Sequence, residues 1–217
     1  MGFDPAIIWK SAGFLGHGLL LSFVLVLVGS VGGVLGGMVL ALMRMARYRA
    51  LTIPAGAYVT VMRSVPLILV LFWFYFMAPL VTGHPVGALF SALIAFVLFE
   101  SAFYCEIIRA GIGAVPAGQG MAAAASGLRR WQALGLVILP QAATAMVPLL
   151  VNQVIILFQD TSLVYVVALR DFLTAASVIA GRDDRPVEMY SFVAIVYFII
   201  CLAGSLLAGR GRGPVFR

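Results

Sequence analysis

The chain has 217 residues, of which 63% are hydrophobic and 10% charged, with a net charge of +6 and a mean hydropathy of +1.11. A soluble domain carries roughly a quarter charged residues, so the composition speaks against a water-soluble enzyme and for an integral membrane protein. At ~20 apolar residues per span, five or six spans use most of the chain, leaving one transmembrane domain, 1–217.

The first apolar run, about 13–42, is too long for the core of a cleavable signal peptide and is expected to stay as span one. It contains Gly29, Gly33 and Gly37, and also Gly32 and Gly36. Glycines four apart share a helix face and let a neighbouring backbone approach closely, within a bundle or across a dimer. Arg44, Arg47 and Arg49 follow, then Pro54. A weakly amphipathic stretch at 56–63 leads to Pro66 and span two at about 67–81. Thr82, Gly83, His84 and Pro85 have the composition of a turn, with His84 as a polar loop residue.

Span three, about 86–108, carries Glu100 and Glu106 and ends at Arg109. Glu106 and Arg109 are three apart, so they are expected to form a structural ion pair along the helix. The least hydrophobic central segment, 111–134, holds Arg129 and Arg130. Span four, about 136–158, is interrupted in pattern by Pro140 and Pro148, and the polar triplet Asp160, Thr161 and Ser162 precedes a short apolar run at 163–169. The stretch 170–188 reads as a polar loop, span five as about 189–207, and the tail carries Arg210, Arg212 and Arg217.

Arginine placement sets an expected orientation. With the N-terminus outside, Arg44, Arg47, Arg49, Arg129, Arg130, Arg210, Arg212 and Arg217 all fall inside, unmixed with acids. The outside loop mixes Arg170, Arg182 and Arg185 with Asp171, Asp183, Asp184 and Glu188. That is the positive-inside pattern for five spans, N-out and C-in. The arginines therefore read as membrane anchors, with no nucleic-acid partner expected.

A charge at the bilayer centre costs ~2.5–3.5 kcal/mol on insertion scales, so Glu100 and Asp160 need protein or water around them. Glu100 reads either as part of a polar cluster, with Arg63 as a candidate partner, or as a pathway residue. Asn152 and Gln159 are seven apart and share a face; with Gln153 they either join helices by hydrogen bonds or contact a substrate. Asp160 and Thr161 are placed to cap a half-helix beginning at Leu163, whose N-terminal end would carry partial positive charge. Arg63, Glu100, Gln153, Asp160 and Thr161 are thus the candidate translocation-pathway residues. This set offers both signs of charge.

Other chemistry has no residues to carry it. Lys10 is the single lysine beside 13 arginines, so no Gly-x-x-x-x-Gly-Lys phosphate cradle exists in the chain. Cys105 and Cys201 lie in apolar stretches and read as packing residues. His17 and His84 are the only histidines, which argues against metal binding and against a serine–histidine hydrolase.

The central segment carries the strongest motif. Gly118-Gln119 is followed by Ala122 to Ala125, Gly127-Leu128, and Ile138-Leu139-Pro140-Gln141. Four alanines favour a helix and Gly127 ends it. This stretch resembles the EAA loop of permease subunits of ATP-binding-cassette importers. Ala122, Ala123, Gly127, Leu139 and Pro140 fall in register; Val137 stands where isoleucine is usual, and Met121 replaces the glutamate. Arg63-Ser64-Val65-Pro66-Leu67, Glu106-Ile107-Ile108-Arg109-Ala110-Gly111 and Phe158-Gln159-Asp160-Thr161-Ser162-Leu163 resemble stretches of the polar-amino-acid branch, most like the glutamate/aspartate permease type.

The resemblance implies an all-α permease of five transmembrane helices in the bacterial inner membrane. It implies a coupling loop at about 111–136, with Gly118, Ala122, Ala123, Gly127, Leu128, Leu139 and Pro140 as ATPase-coupling residues. It further implies two ATP-binding subunits holding ATP and Mg, a second permease subunit, identical or related, and a periplasmic amino-acid-binding protein. No cofactor is expected in this chain. The alternative is an ion-coupled secondary amino acid transporter, for which inverted repeats and helices broken in both halves would be expected; the chain has no internal repeat.

Overall fold

The computed structural model describes residues 4–84 and 86–210. Arg212 and Arg217 of the tail, and Pro85 of the turn, lie outside them. The described residues are helical, without strands: α1 (Ala6–Lys10), α2 (Ala12–Met45), α3 (Arg49–Ser64), α4 (Leu67–Thr82), α5 (Ala88–Gly113), α6 (Ala117–Ala125), α7 (Arg130–Ala133), α8 (Leu139–Asp160), α9 (Phe172–Asp183) and α10 (Pro186–Arg210). A π-helical turn, Leu134–Ile138, joins α7 to α8, and a 3₁₀ turn, Thr161–Val167, continues α8 at its other end.

Four helical stretches are long and apolar enough to cross a membrane: Ala12–Met45, Ala88–Gly113, Arg130–Val167 and Pro186–Gly209. A fifth candidate is the pair α3 and α4, bent by 108° at the break between them. Span two, expected at 67–81, coincides with α4 and is joined across that bend to α3. Its 16 residues rise about 24 Å at 1.5 Å each, short of the ~30 Å hydrocarbon core. The bend sits at Val65-Pro66. Proline excludes its predecessor from the helical region, and Val65 is extended, with φ −109° and ψ 135°.

The glycine stripe of α2 packs inside the bundle, against α5. A Cβ on Gly32 would stand 2.6 Å from Val97 Cγ2, one on Gly36 2.9 Å from Ser101 Cβ, and one on Gly37 2.7 Å from Tyr104 Cβ. The space a side chain would occupy is filled by the facing helix. Around this seam a core forms from α2, α4, α5, α8 and the 3₁₀ turn, with Leu25, Leu71, Phe96, Leu157 and Val164 fully buried.

Three expectations are corrected. First, 170–188 is not a loop. It contains α9, whose buried residues Phe172, Ala175, Ala176, Ile179 and Ala180 recur with helical period. Asp171 caps this helix, accepting from the amides of Leu173 at 3.0 Å and Thr174 at 3.1 Å and from the Thr174 hydroxyl. Ser22 of α2 ties α9 down by accepting from the Phe172 amide at 3.2 Å. Charges at the ends of the stretch masked its small apolar face.

Second, span four is not interrupted. Pro140 lies in the first turn of α8 and Pro148 is carried within it. Third, Asp160 caps no half-helix. Its backbone is helical and its side chain makes no capping bond. Because α8 runs straight into the 3₁₀ turn, no free row of amides exists there to attract a carboxylate.

Cys105 is buried, Cys201 is half-buried, and the two are not disulfide-linked. Among the described residues no group of three or more histidine, cysteine or acidic side chains could hold a metal ion.

Candidate functional site

The loop between α5 and α8 is built from its turns. Pro116, extended at ψ 135°, starts α6. Gly127, at φ +80°, ends it. The Gly127 amide donates to the Ala124 carbonyl at 3.0 Å and the Leu128 amide to the Ala123 carbonyl at 3.1 Å. This is a Schellman closure, which places its left-handed residue at Gly127. α7 follows, opened by the Gln132 side chain accepting from the Arg129 amide at 2.9 Å. Gln141 at the head of α8 donates to Gln119 of α6 at 3.2 Å and to the Val137 carbonyl at 2.9 Å, fastening the loop helix to the long span.

Of the residues singled out in this loop, Gly118, Ala122, Gly127, Leu139 and Pro140 are exposed, Leu128 is half-buried and Ala123 is buried. Gly120, Ala124, Leu128, Trp131 and Ile138 line a hollow of about 400 Å³ between α6 and the π turn. The arrangement presents a nine-residue helix outward, held at both ends.

Within the spans, Glu100 of α5 is fully buried. Its partner is Gln153 of α8, whose amide nitrogen lies 3.0 and 3.3 Å from the two carboxylate oxygens. Gly33 of α2 closes the third side: a Cβ there would stand 2.8 Å from Glu100 Cβ and 2.9 Å from Tyr104 Cδ2. The polar pair thus lies where three spans meet, and no ion pair with Glu100 forms among the described residues. Thr161 is fully buried nearby in chain order, with its hydroxyl donating to the Phe158 carbonyl at 2.8 Å. Asp160 is half-buried at the end of α8. Gln159 donates to Cys201 of α10 at 3.6 Å, joining two helices, while Asn152 is exposed.

Arg63 does not reach Glu100. It lies over the Phe103 ring at 5.6 Å, with its guanidinium 3.7 Å from Glu106. Glu106 is the charge centre of this end of the bundle. Arg109 donates to it at 2.8 and 3.1 Å, and Arg44, from the end of α2, also hydrogen-bonds it. The Glu106–Arg109 pair is therefore present but belongs to a larger cluster in which three arginines from α2, α3 and α5 share one carboxylate. Periodicity within one helix exposes the Arg109 contact only. The signal for Arg44 is that it ends span one at the depth where span three is about to end.

Comparison with known proteins agrees with this architecture. The family described as binding-protein-dependent transport system inner membrane component matches residues 33–210. The glutamate/aspartate import permease protein GltK of Escherichia coli O6:H1 is 47% identical over 212 residues, covering 94% of this chain and 95% of the relative. The probable glutamine ABC transporter permease protein GlnP of Bacillus subtilis is 32% identical over 213 residues, covering 97% of each. A solved structure described as an amino acid ABC transporter with histidines has a chain that is 31% identical, with a TM-score of 0.90 over 98% of this chain and 99% of that one. A chain of the MetNI methionine ABC transporter, in an inward-facing conformation, shares the fold at 19% identity and TM-score 0.76, covering 93% of this chain and 98% of that one. These relatives are parts of ABC transporters, and nothing in the comparisons supports the ion-coupled alternative. The chain belongs to the family of inner membrane components of binding-protein-dependent transport systems: it is a multi-pass permease subunit of an ABC importer, not an enzyme.

Proposed function

We propose that this permease carries a polar amino acid, glutamate or aspartate, inward across the bacterial inner membrane. The observation that carries the substrate is the 47% identity to the glutamate/aspartate permease over 94% of the chain. The whole chain, 1–217, forms one transmembrane domain, N-out and C-in. It works with a second permease subunit, identical or related, two ATP-binding subunits that hold ATP and Mg, and a periplasmic amino-acid-binding protein. α8 and α10 leave most of their apolar surface uncovered, which lipid and the second permease would cover.

The loop at about 111–136 is the coupling loop and α6 the coupling helix. Closure of the ATPase dimer would move α6 and, through the Gln119–Gln141 bond, the head of α8. Since α8 also carries Gln153, the same motion bears on the Glu100 pair, and the spans exchange between two discrete packings. Glu100, Gln153, Asp160 and Thr161 line the pathway or its walls, with Arg63 nearer its end.

The test is uptake of labelled amino acids by proteoliposomes holding the complete complex and loaded with ATP. ATP-dependent accumulation of glutamate or aspartate is expected. Failure with every polar amino acid would refute the substrate while leaving the architecture in place.

A further inference from the structure

The amphipathic stretch at 56–63 belongs to α3, which carries two different lines of residues outside its buried face. Thr52, Gly56, Thr60 and Arg63 recur at helical spacing along one line. Ala50, Ala57 and Val61 form the other, roughly 120° round the helix. The buried Ala55 and Val59 flank the polar line on its other side. The polar line therefore borders the bundle, and the apolar line faces away from it. Thr60 and Arg63 are exposed, and a Cβ on Gly56 would meet nothing within 4 Å. A charge within a span faces the bundle interior or a water-filled cavity rather than lipid, which marks this line as a watered edge of the bundle.

Arg63 ends the line with donors to spare. A guanidinium has five N–H donors, and among the described residues that of Arg63 makes no hydrogen bond; it stands off Glu106 at 3.7 Å. Both Glu106 oxygens are taken: Arg44 donates to Oε1, and Arg109 donates twice to Oε2, at 2.8 and 3.1 Å. Three arginines against one carboxylate leave positive charge in excess. α2, α3 and α4 contain no acidic residue to offset it. The Phe103 ring, 5.6 Å from the guanidinium, holds it in place, and the Arg63 side chain is 45% exposed. A planar fork that is fixed, unpaired and open suits a carboxylate, which it can grip with two parallel bonds. Glutamate and aspartate carry two carboxylates and one ammonium group, so their passage calls for a cation. Glu100, buried against Gln153, supplies none.

We propose that the line of Thr52, Gly56 and Thr60 is a wall of the translocation pathway and that Arg63, at its end, binds a carboxylate of the acidic amino acid. Arg44 and Arg109, by occupying Glu106, leave Arg63 free for it. A grip from one residue is weak enough for the substrate to leave. This rests on the reading of the substrate as glutamate or aspartate.

The test uses the permease with its ATP-binding subunits in nanodiscs, with Thr60→Cys in a Cys105→Ala/Cys201→Ala background and labelling scored on the permease. Position 60 is one turn from Arg63. A charged thiol reagent should label Thr60→Cys but not Val61→Cys on the apolar line. Glutamate, and glutarate as a dicarboxylate without the ammonium group, should slow labelling of Thr60→Cys. Glutaramide, the uncharged diamide, should not. Adding Arg63→Gln should weaken the protection about tenfold or more, as for the loss of a hydrogen bond to a charged group, while labelling without ligand stays unchanged. Arg63→Lys keeps the charge without the fork and should fall between.

No labelling of Thr60→Cys, or labelling of Val61→Cys as fast, would overturn the watered wall. Protection that survives Arg63→Gln, or that glutaramide gives equally, would overturn the carboxylate site. Slower labelling when phosphatidylglycerol replaces phosphatidylcholine in the nanodisc, with no effect of glutamate, would assign Arg63 to lipid phosphate instead. If ATP-dependent uptake moves neither glutamate nor aspartate, the substrate reading fails. If uptake proceeds and glutamate gives no protection, only the carboxylate site fails.

Discussion

Replacing Gly37 by alanine tests whether the α2–α5 seam is set by the absence of side chains. The added methyl would stand 2.7 Å from Tyr104 Cβ, 2.8 Å from the Cys105 backbone nitrogen and 3.0 Å from the Ser101 carbonyl oxygen. Two of these three atoms are backbone and cannot rotate away. Ordinary contact between such atoms begins near 3.5 Å, so α2 and α5 would have to part locally by roughly 0.7 Å. A gap of that size forfeits about a quarter to a half of each dispersion contact it opens. Overpacking of this kind costs about 1–3 kcal/mol, and at ~2–4 °C per kcal/mol for a domain of this size the melting midpoint should drop by roughly 2–12 °C.

The control is Gly56→Ala on α3. Nothing lies within 4 Å of the new methyl there, and replacing a mid-helix glycine gains about 0.5–1 kcal/mol. Cys105 supplies the assay. It is fully buried in the native bundle, so a thiol-reactive dye labels it on unfolding, in a Cys201→Ala background. A Gly37→Ala midpoint at or above that of the unsubstituted protein, or a Gly56→Ala midpoint that falls as far, would refute the argument.

Other substitutions probe the polar clusters and the loop. Gln153→Leu leaves the fully buried Glu100 without its amide partner and should cost about 1–3 kcal/mol, read as a lower Cys105 labelling midpoint; Glu100→Gln, which can still bond Gln153, should cost less, and the reverse order would refute the pairing. Glu106→Gln leaves three arginines facing one another; because the cluster is partly exposed, the loss should be about 0.2–1 kcal/mol per pair, and a double-mutant cycle with Arg44→Gln should return a non-zero coupling. Gly127→Ala places a side chain at φ +80°, a conformation that costs about 1–2 kcal/mol for a non-glycine residue. Nothing crowds that position, so the Cys105 midpoint should fall only by that backbone cost, roughly 2–8 °C, while stimulation of the ATPase by loaded binding protein falls. Unchanged stimulation would count against a role for the α6 turn in coupling.

The features readable from sequence are those settled within one segment. A bilayer judges each stretch against a fixed apolar thickness, so composition marks four spans outright. The glycine stripe of α2 marks its packing face, because a missing Cβ acts wherever the helix points. The turn at Gly127 is equally local, since only backbone conformation and two hydrogen bonds define it. α9 lay within reach. Asp171 followed by Thr174 is a capping signal, and Phe172, Ala175, Ala176, Ile179 and Ala180 keep helical period, but alanines add little hydropathy against flanking charges.

The pairings between segments were settled by the tertiary structure. Arg63 and Arg109 lie on different segments, yet both go to Glu106, while Glu100 is left to an amide 53 residues away. Which acid a cation meets depends on the rotation and depth of two helices, and those follow from packing at the glycine seam and from the 108° bend at Pro66. Insertion into a membrane is a sum over one segment's own residues. Ion pairing in a low dielectric is decided by which partner the other helices bring within a few ångströms, and no single segment encodes that.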